Sequence, residues 1–299
     1  MKKNHVLIVG GTSLDTIIQL YSPLKQGPQT TWAKSCYKAV GGTGAGKALN
    51  LSRLGFAVTL HTCLGDDAEA QAVVDGLTHD NIQLLIETGS MPTEQHTNLM
   101  TPEGDRTSIY THPPENPKEF DMTGIEQAMP SVDIAAISIL DYTRPVLKLA
   151  KAHQKPIWMD LHDYDGKNEY HQEFLDAADV VFVSSDKLPD YRAFMLQQIE
   201  AGKQLVVCTH GKQGATAVDS NGEFYEQPII ESYELKDSNG AGDAFFSGYL
   251  YAHMQGKPIR DCMLAGAVVA GMCIQSSLLF DESLQGSVVD TAMQAVVRG

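Results

Sequence analysis

The stretch Asp237-Ser238-Asn239-Gly240-Ala241-Gly242-Asp243-Ala244-Phe245-Phe246-Ser247-Gly248 is a small-residue turn that runs straight into a helical pattern. The backbone N–H groups of Gly240, Ala241, Gly242 and Asp243 can converge there without obstruction, and the partial positive charge of a helix start adds to them. Such a turn suits a transferring phosphoryl group, whose charge must be stabilised. Asp243 falls at the same helix start, where a carboxylate can accept the proton of an attacking hydroxyl. The plain alternative is a tight turn followed by an Asp that merely caps the helix.

Outward from this stretch, short β-branched runs alternate with longer helical patterns, which predicts an α/β fold with crossover helices. Strands are expected at Val6–Val9, Val58–Cys63, Ile134–Ile139, Ile157–Asp160, Val180–Val183 and Leu205–Thr209. Several are apolar without alternation, as strands buried on both faces are. Helices are expected near Gly44–Leu54, Ala68–His79, Arg144–His153, Tyr170–Ala177, Asp243–His253 and Asp261–Ser276. Two stretches break this rhythm. Asp15–Val40 mixes strand-like pieces with Pro and Gly, and Thr97–Met100 with Arg106–Thr111 flanks a turn at Pro102-Glu103-Gly104-Asp105. Paired, they would make a small sheet that acts as a lid and excludes water from a reaction.

Of the 299 residues, 22 are Lys or Arg and 37 are Asp or Glu, a formal net charge of −15. That balance argues against a nucleic-acid partner, which calls for a basic face, but leaves room for a nucleotide held by backbone amides. The five cysteines are scattered and form no C-x-x-C pair, so they read as buried thiols of a reducing, cytoplasmic compartment. The opening run MKKNHVLIVGG is too short in its apolar part for a signal peptide and reads as a first strand. Leu264–Ile274 is the most apolar stretch and falls short of the roughly 20 residues of a membrane span.

A second glycine-rich segment, Gly41-Gly42-Thr43-Gly44-Ala45-Gly46-Lys47-Ala48-Leu49-Asn50, satisfies G-x-x-x-x-G-K. A phosphate loop is nonetheless disfavoured, because Ala48 stands where the motif needs a Ser or Thr hydroxyl. The cluster Asp160-Leu161-His162-Asp163-Tyr164-Asp165 has no zinc-ligand spacing and reads as acids at a strand end.

Together these segments resemble the ribokinase-like, or phosphofructokinase-B, carbohydrate kinase family. Asp237–Phe245 fits its C-terminal signature D-[TS]-x-G-A-G-D-x-F, and Gly41–Gly55, ending Arg53-Leu54-Gly55, is similar to its N-terminal one. The resemblance implies a single ribokinase-like α/β domain over 1–299, with a mostly parallel sheet and a β lid from about 15–40 and 97–111. It implies ATP and Mg²⁺ as phosphoryl donor, a sugar hydroxyl as acceptor with a ribokinase-type pentose favoured, and Asp243 as base beside the amides of Gly240, Ala241 and Gly242. The alternatives are a nucleoside kinase of the same fold and a non-catalytic nucleotide sensor. Sugar contacts are implied at Ser13, Asp15, Gly41, Gly42, Asp141 and Gly46, the last replacing an Asn often found in the family. Nucleotide contacts are implied at Thr209, Gly211 and Gly214, and at Ser184 and Lys187, where Ser184-Ser185-Asp186-Lys187 replaces the family's N-x-x-E. A K⁺ site at Asp237 and Asn239 and a homodimer through the lid are implied in the same way.

Overall fold

The computed structural model describes residues 3–117 and 119–298. Its first half runs β1 (His5–Val9), β2 (Ser13–Leu20), β3 (Ala33–Gly41), α1 (Thr43–Arg53), β4 (Ala57–Leu64), α2 (Ala68–Leu77), β5 (Ile82–Thr88), β6 (Gln95–Met100), β7 (Arg106–His112), α3 (Thr123–Ala128) and β8 (Ile134–Ile137). The second half runs α4 (Arg144–Ala152), β9 (Ile157–Asp160), α5 (Gln172–Ala177), β10 (Val180–Ser184), α6 (Tyr191–Glu200), β11 (Leu205–Thr209), β12 (Ala215–Asp219), β13 (Phe224–Gln227), α7 (Ala241–His253), α8 (Ile259–Ile274) and α9 (Gly286–Arg298).

The large sheet has nine strands in the order β13-β12-β11-β10-β9-β8-β1-β4-β5. All neighbours are parallel except β11 with β12 and β12 with β13. The parallel strands within the sheet are buried on both faces, while edge strand β5 is only partly buried. On β1, Val6 and Ile8 enter one core while Leu7 and Val9 enter the other, and Trp158 and Phe182 oppose Met159 and Val181 in the same way. This division explains the apolar runs without alternation.

From β1 the chain builds β4 and β5 on one side and β8 to β11 on the other, so strand order reverses at β1. Open parallel sheets leave a crevice at the carboxyl ends of the strands flanking such a reversal. The expected lid is a separate four-stranded sheet, β3-β2-β6-β7, with β2 and β6 parallel across its middle.

Several elements differ from the sequence reading. Strand β8 ends at Ile137 rather than Ile139, because Leu140 N–H already turns back to the Ser138 carbonyl. Tyr170 lies in a single 3₁₀ turn before α5. Strands β5, β12 and β13 and helices α3, α6 and α9 are additional. Cys208, Cys262 and Cys273 are buried as expected, whereas Cys63 is half-buried and Cys36 is exposed on lid strand β3. Among the described residues, no helix is long and apolar enough to cross a membrane.

Candidate active site

Helix α7 starts after Gly240, which adopts a left-handed conformation (φ 80°) that Gly tolerates without strain. Its first turn leaves amides without intrahelical acceptors, as any helix start does. A Cβ on Gly242 would meet nothing within 4 Å, so the approach is open there, while the Ala241 N–H donates to the Ser238 carbonyl at 3.3 Å. Asp243 sits in this turn, 8% exposed, on the face toward α1.

The side chain that meets Asp243 is Lys47 of α1. Its Nζ lies 2.5 Å from Asp243 Oδ1 and 3.1 Å from Asp160 Oδ2, and it also stands over the Phe246 ring at 5.1 Å. Asp160 ends β9 and accepts the His162 N–H at 3.0 Å. Burial raises the Asp243 carboxyl above the usual carboxylate range and Asp160 adds to that, while Lys47 opposes both. For Asp160, burial is outweighed by His162 and Lys47, which bring it down to about 2. Burial works against the Lys47 ammonium, but the two carboxylates hold it protonated.

Gly46 makes this pairing geometrically possible. A Cβ there would lie 2.6 Å from Asp243 Oδ2 and 2.8 Å from its Cβ. Gly46 was expected beside the sugar; its neighbour is the Asp243 side chain. Gly41, five residues earlier, has the Asp15 carboxylate as its neighbour in the same close way.

Asp15, near the start of β2, lies against Gly41 and gathers a polar cluster. Its Oδ1 accepts from Ser13 Oγ at 2.6 Å, its Oδ2 accepts from Asn98 Nδ2 at 2.9 Å, and His96 Nδ1 lies 3.3 Å from Oδ1. His96 Nε2 in turn meets Glu94 Oε1 at 2.7 Å, and Ser108 Oγ donates to Asn98 Oδ1 at 2.6 Å. Glu94, His96 and Asn98 alternate through the start of β6 and so share one face. Sequence reading missed these three and the pairing of Lys47; the period-2 polar residues in Glu94–Asn98 were the available signal.

The remaining expected residues are spread more widely. Gly42 (φ 87°) makes the turn into α1 against the Gly11 carbonyl. Asp141 is half-exposed and engaged by Arg144 Nε at 3.0 Å and Asn116 Nδ2 at 3.1 Å. Ser184 accepts the Asp186 N–H at 3.2 Å, and Thr209 Oγ1 lies 3.5 Å from the Val183 carbonyl. Gly211 and Gly214, both with positive φ, bound the 3₁₀ turn between β11 and β12. Lys187, expected at a phosphate, is paired with Asp163 at 2.6 Å on the surface.

Asp237 and Asn239 lie beside the tip of the small sheet. Asp237 Oδ2 accepts from Tyr37 OH at 3.0 Å and Oδ1 from Asn239 N–H at 2.8 Å, while Arg106 Nη1 donates to Asn239 Oδ1 at 2.6 Å. Each carboxylate oxygen of Asp237 thus accepts one hydrogen bond and keeps acceptor capacity, while the Asn239 amide oxygen is held by a guanidinium.

A nine-stranded sheet, a separate four-stranded sheet and a Gly-Ala-Gly-Asp helix start coincide with a family match. Residues 3–282 match the model of the pfkB family carbohydrate kinases. The chain belongs to this family. It is therefore a sugar kinase, an ATP-using phosphotransferase with an alcohol acceptor. It is 30% identical over 278 residues to acarbose 7(IV)-phosphotransferase from Actinoplanes sp., covering 88% of this chain and 89% of that protein. Among solved structures, a microbiome-derived acarbose kinase, Mak1, superposes with a TM-score of 0.86 at 27% identity, covering 98% of this chain and all of Mak1. Arabidopsis thaliana ribokinase with ribose and ATP superposes at 0.78 and 18% identity over 98% and 99% of the two chains, a likeness of fold.

Proposed function

We propose that this pfkB-family kinase transfers the γ-phosphoryl group of Mg-ATP to a hydroxyl, primary by expectation, of a neutral or amine-bearing sugar bound between Asp15 and Asp243. The carrying observation is that one glycine-rich segment meets both carboxylates: Gly41, the last residue of β3, lies against Asp15, and Gly46, in the first turn of α1, lies against Asp243. Asp15, Asn98 and Ser13 offer acceptors and donors for the sugar's hydroxyls. Asp243 takes the proton of the attacking hydroxyl, and the amides of Gly240, Ala241 and Gly242 hold the γ-phosphoryl oxygens as charge shifts toward the leaving ADP. Mg²⁺ enters with the nucleotide as part of the substrate and neutralises the β- and γ-phosphates.

Glu94 beside Asp15 disfavours a sugar acid by like-charge repulsion. A ribose-type pentose is the acceptor expected from the signatures, and the similarity to acarbose 7(IV)-phosphotransferase adds an acarbose-type sugar. Thr209, Gly211 and Gly214 remain our choice for the nucleotide side, with Ser184 at its edge. A K⁺ site at Asp237 and Asn239 stays part of the proposal, and running the assay below with and without K⁺ tests it. A homodimer through the lid is proposed on the exposure of β7, including Ile109 and Tyr110, and Ile109→Lys in sedimentation velocity tests it: a monomeric variant of a dimeric wild type is expected.

The deciding experiment is a coupled ADP-release assay with Mg-ATP against pentoses, hexoses, sugar acids, nucleosides and acarbose. Turnover with a neutral or amino sugar, lowered ~10²–10⁴-fold by Asp243→Asn while ADP binding persists, is the expected result. Turnover with nucleosides alone would select the nucleoside-kinase alternative. ATP binding without turnover on any acceptor would favour the nucleotide sensor.

A further inference from the structure

We infer that Lys47 is a positioning residue for phosphoryl transfer: it clamps Asp243 through one carboxylate oxygen, leaves the other for the acceptor hydroxyl, and is itself held by Asp160. The inference rests on the reading of Asp243 as the base. It extends that reading to a lysine whose sequence context suggested only a failed phosphate loop.

The geometry supplies three independent reasons. Lys47 is 4% exposed, and burial of a charged lysine is tolerated only where partners compensate it. Both of its carboxylate partners come from elements distant in sequence, α7 and β9, so the fold assembles the trio deliberately around the crevice floor. The bond to Oδ1 also orients Asp243. With Oδ1 occupied by Lys47, Oδ2 is left for the acceptor hydroxyl, and Gly46 gives that oxygen room where any Cβ would stand 2.6 Å away. Gly46 and Lys47 thus work as a pair: the first clears the space, the second fixes the rotamer.

The charge count fits a proton acceptor. Lys47, Asp160 and Asp243 together carry one net negative charge when all are ionised. As the acceptor oxygen attacks phosphorus, its O–H bond breaks, the new O–P bond forms, and the bond from the γ-phosphorus to the ADP oxygen breaks. The proton passes to Asp243, and the trio becomes neutral. Burial raises the Asp243 carboxyl, and Lys47 opposes that rise in favour of the proton-accepting form. A carboxylate paired with a lysine alone would be a weak base. Asp160 offsets that second effect by taking part of the ammonium's charge.

The groups facing Asp243 are Lys47 from α1, Asp160 and His162 from β9 and the residues after it, and Cys273 from α8. Burial pushes the Cys273 thiol up to about 12, so it stays neutral through the working range. Removing Lys47 therefore leaves burial and Asp160, which raise the Asp243 pKa, opposed by His162 alone. Removing the charge of Asp160 leaves Lys47 acting undivided on Asp243, which lowers it.

The test is the pH dependence of kcat for wild type, Lys47→Met and Asp160→Asn at saturating Mg-ATP and acceptor. The acidic limb is expected to move up by about one pH unit or more in Lys47→Met and down in Asp160→Asn. Ionisation of the nucleotide is common to all three proteins and leaves their differences untouched. A merely structural role for Lys47 would lower kcat at every pH without opposed shifts, and that result overturns the inference, as do shifts of the same sign. Should Lys47→Met fail to fold, the near-isosteric Asp160→Asn and a ¹³C-detected carboxyl titration of Asp243, assigned by its loss in Asp243→Asn, carry the test. An Asp243 carboxyl that titrates identically in wild type and Asp160→Asn overturns the inference. Because that titration needs no acceptor, it separates failure of the clamp from failure of the sugar-kinase reading of the base.

Discussion

His96 stands between two carboxylates, with Nδ1 3.3 Å from Asp15 and Nε2 2.7 Å from Glu94. Burial favours the neutral ring, but the hydrogen bonds and charges of Asp15 and Glu94 prevail and raise its pKa from 6.5 to about 9. The charged ring therefore stabilises the fold fully below about 6.5, and that contribution is lost as pH rises through about 9. His96→Gln should cost ~2 kcal/mol in urea unfolding at pH 6, a figure reduced for residual solvent screening, and the cost should shrink toward pH 9. A pH-independent difference would show that packing on the Tyr110 ring, at 4.1 Å, is what His96 provides. Legibility at this scale followed locality. Asp243 and its glycine turn were readable because the amides and the carboxylate lie within four residues. Lys47 was not, because its partners are 113 and 196 residues away and no local pattern distinguishes a buried lysine from a solvated one.

Helix α1 is set by its two flanking glycines, which serve different purposes. Gly42 precedes the helix at φ 87°, and a Cβ on it would lie 2.6 Å from the Gly11 carbonyl oxygen and 2.8 Å from Thr12 Cα. Backbone cannot yield as a flexible side chain can, so Gly42→Ala combines left-handed strain with a backbone clash and should cost ~2–4 kcal/mol. Gly55, past the other end of α1, also has positive φ (93°), but nothing lies within 4 Å of its added Cβ. There only the left-handed penalty applies, about 1 kcal/mol. Urea unfolding of both variants checks the pair, and equal costs would remove the claim that α1 is pressed onto the β1 turn. At this scale the buried parallel strands were legible from their apolar runs. Strands β12 and β13 were not: Ala215–Asp219 and Phe224–Gln227 are short and mixed, and they become strands by antiparallel pairing onto β11 and onto each other. Helix α9 buries only Val289 fully, so its apolar stripe is weak in the sequence.

Across the whole molecule, the lid tip is tied to the segments proposed for the nucleotide. Ser238 Oγ donates to the Gly104 carbonyl at 2.8 Å, Lys212 Nζ to the Glu103 carbonyl at 2.5 Å, and Arg106 Nη1 to Asn239 Oδ1 at 2.6 Å. Behind these contacts a cavity of about 510 Å³ opens between the lid and residues 234–237, bordered by Lys34, Met100 and Asp237 but by neither Asp15 nor Asp243. None of this was legible in the sequence, which showed two ribbons and a plausible pairing but nothing of where the tip would rest. These are single hydrogen bonds, two of them exposed and the Ser238 bond part-buried, worth about 0.5–1.5 kcal/mol each, so the lid is expected to open and reclose rather than stay fixed. A nucleotide that orders residues 209–214 and the turn at Ser238–Gly240 would hold the acceptors and donors of all three bonds in place, and the tip would then exchange its amides more slowly. Hydrogen exchange with and without Mg-ADP should accordingly show protection at 101–106 as well as at 209–214. In Arg106→Ala combined with Lys212→Ala the first protection should fall away while the second persists. Protection confined to 209–214 in the wild type would mean that the lid moves independently of the nucleotide, and that its closure answers to the sugar through Asp15 and Asn98 alone.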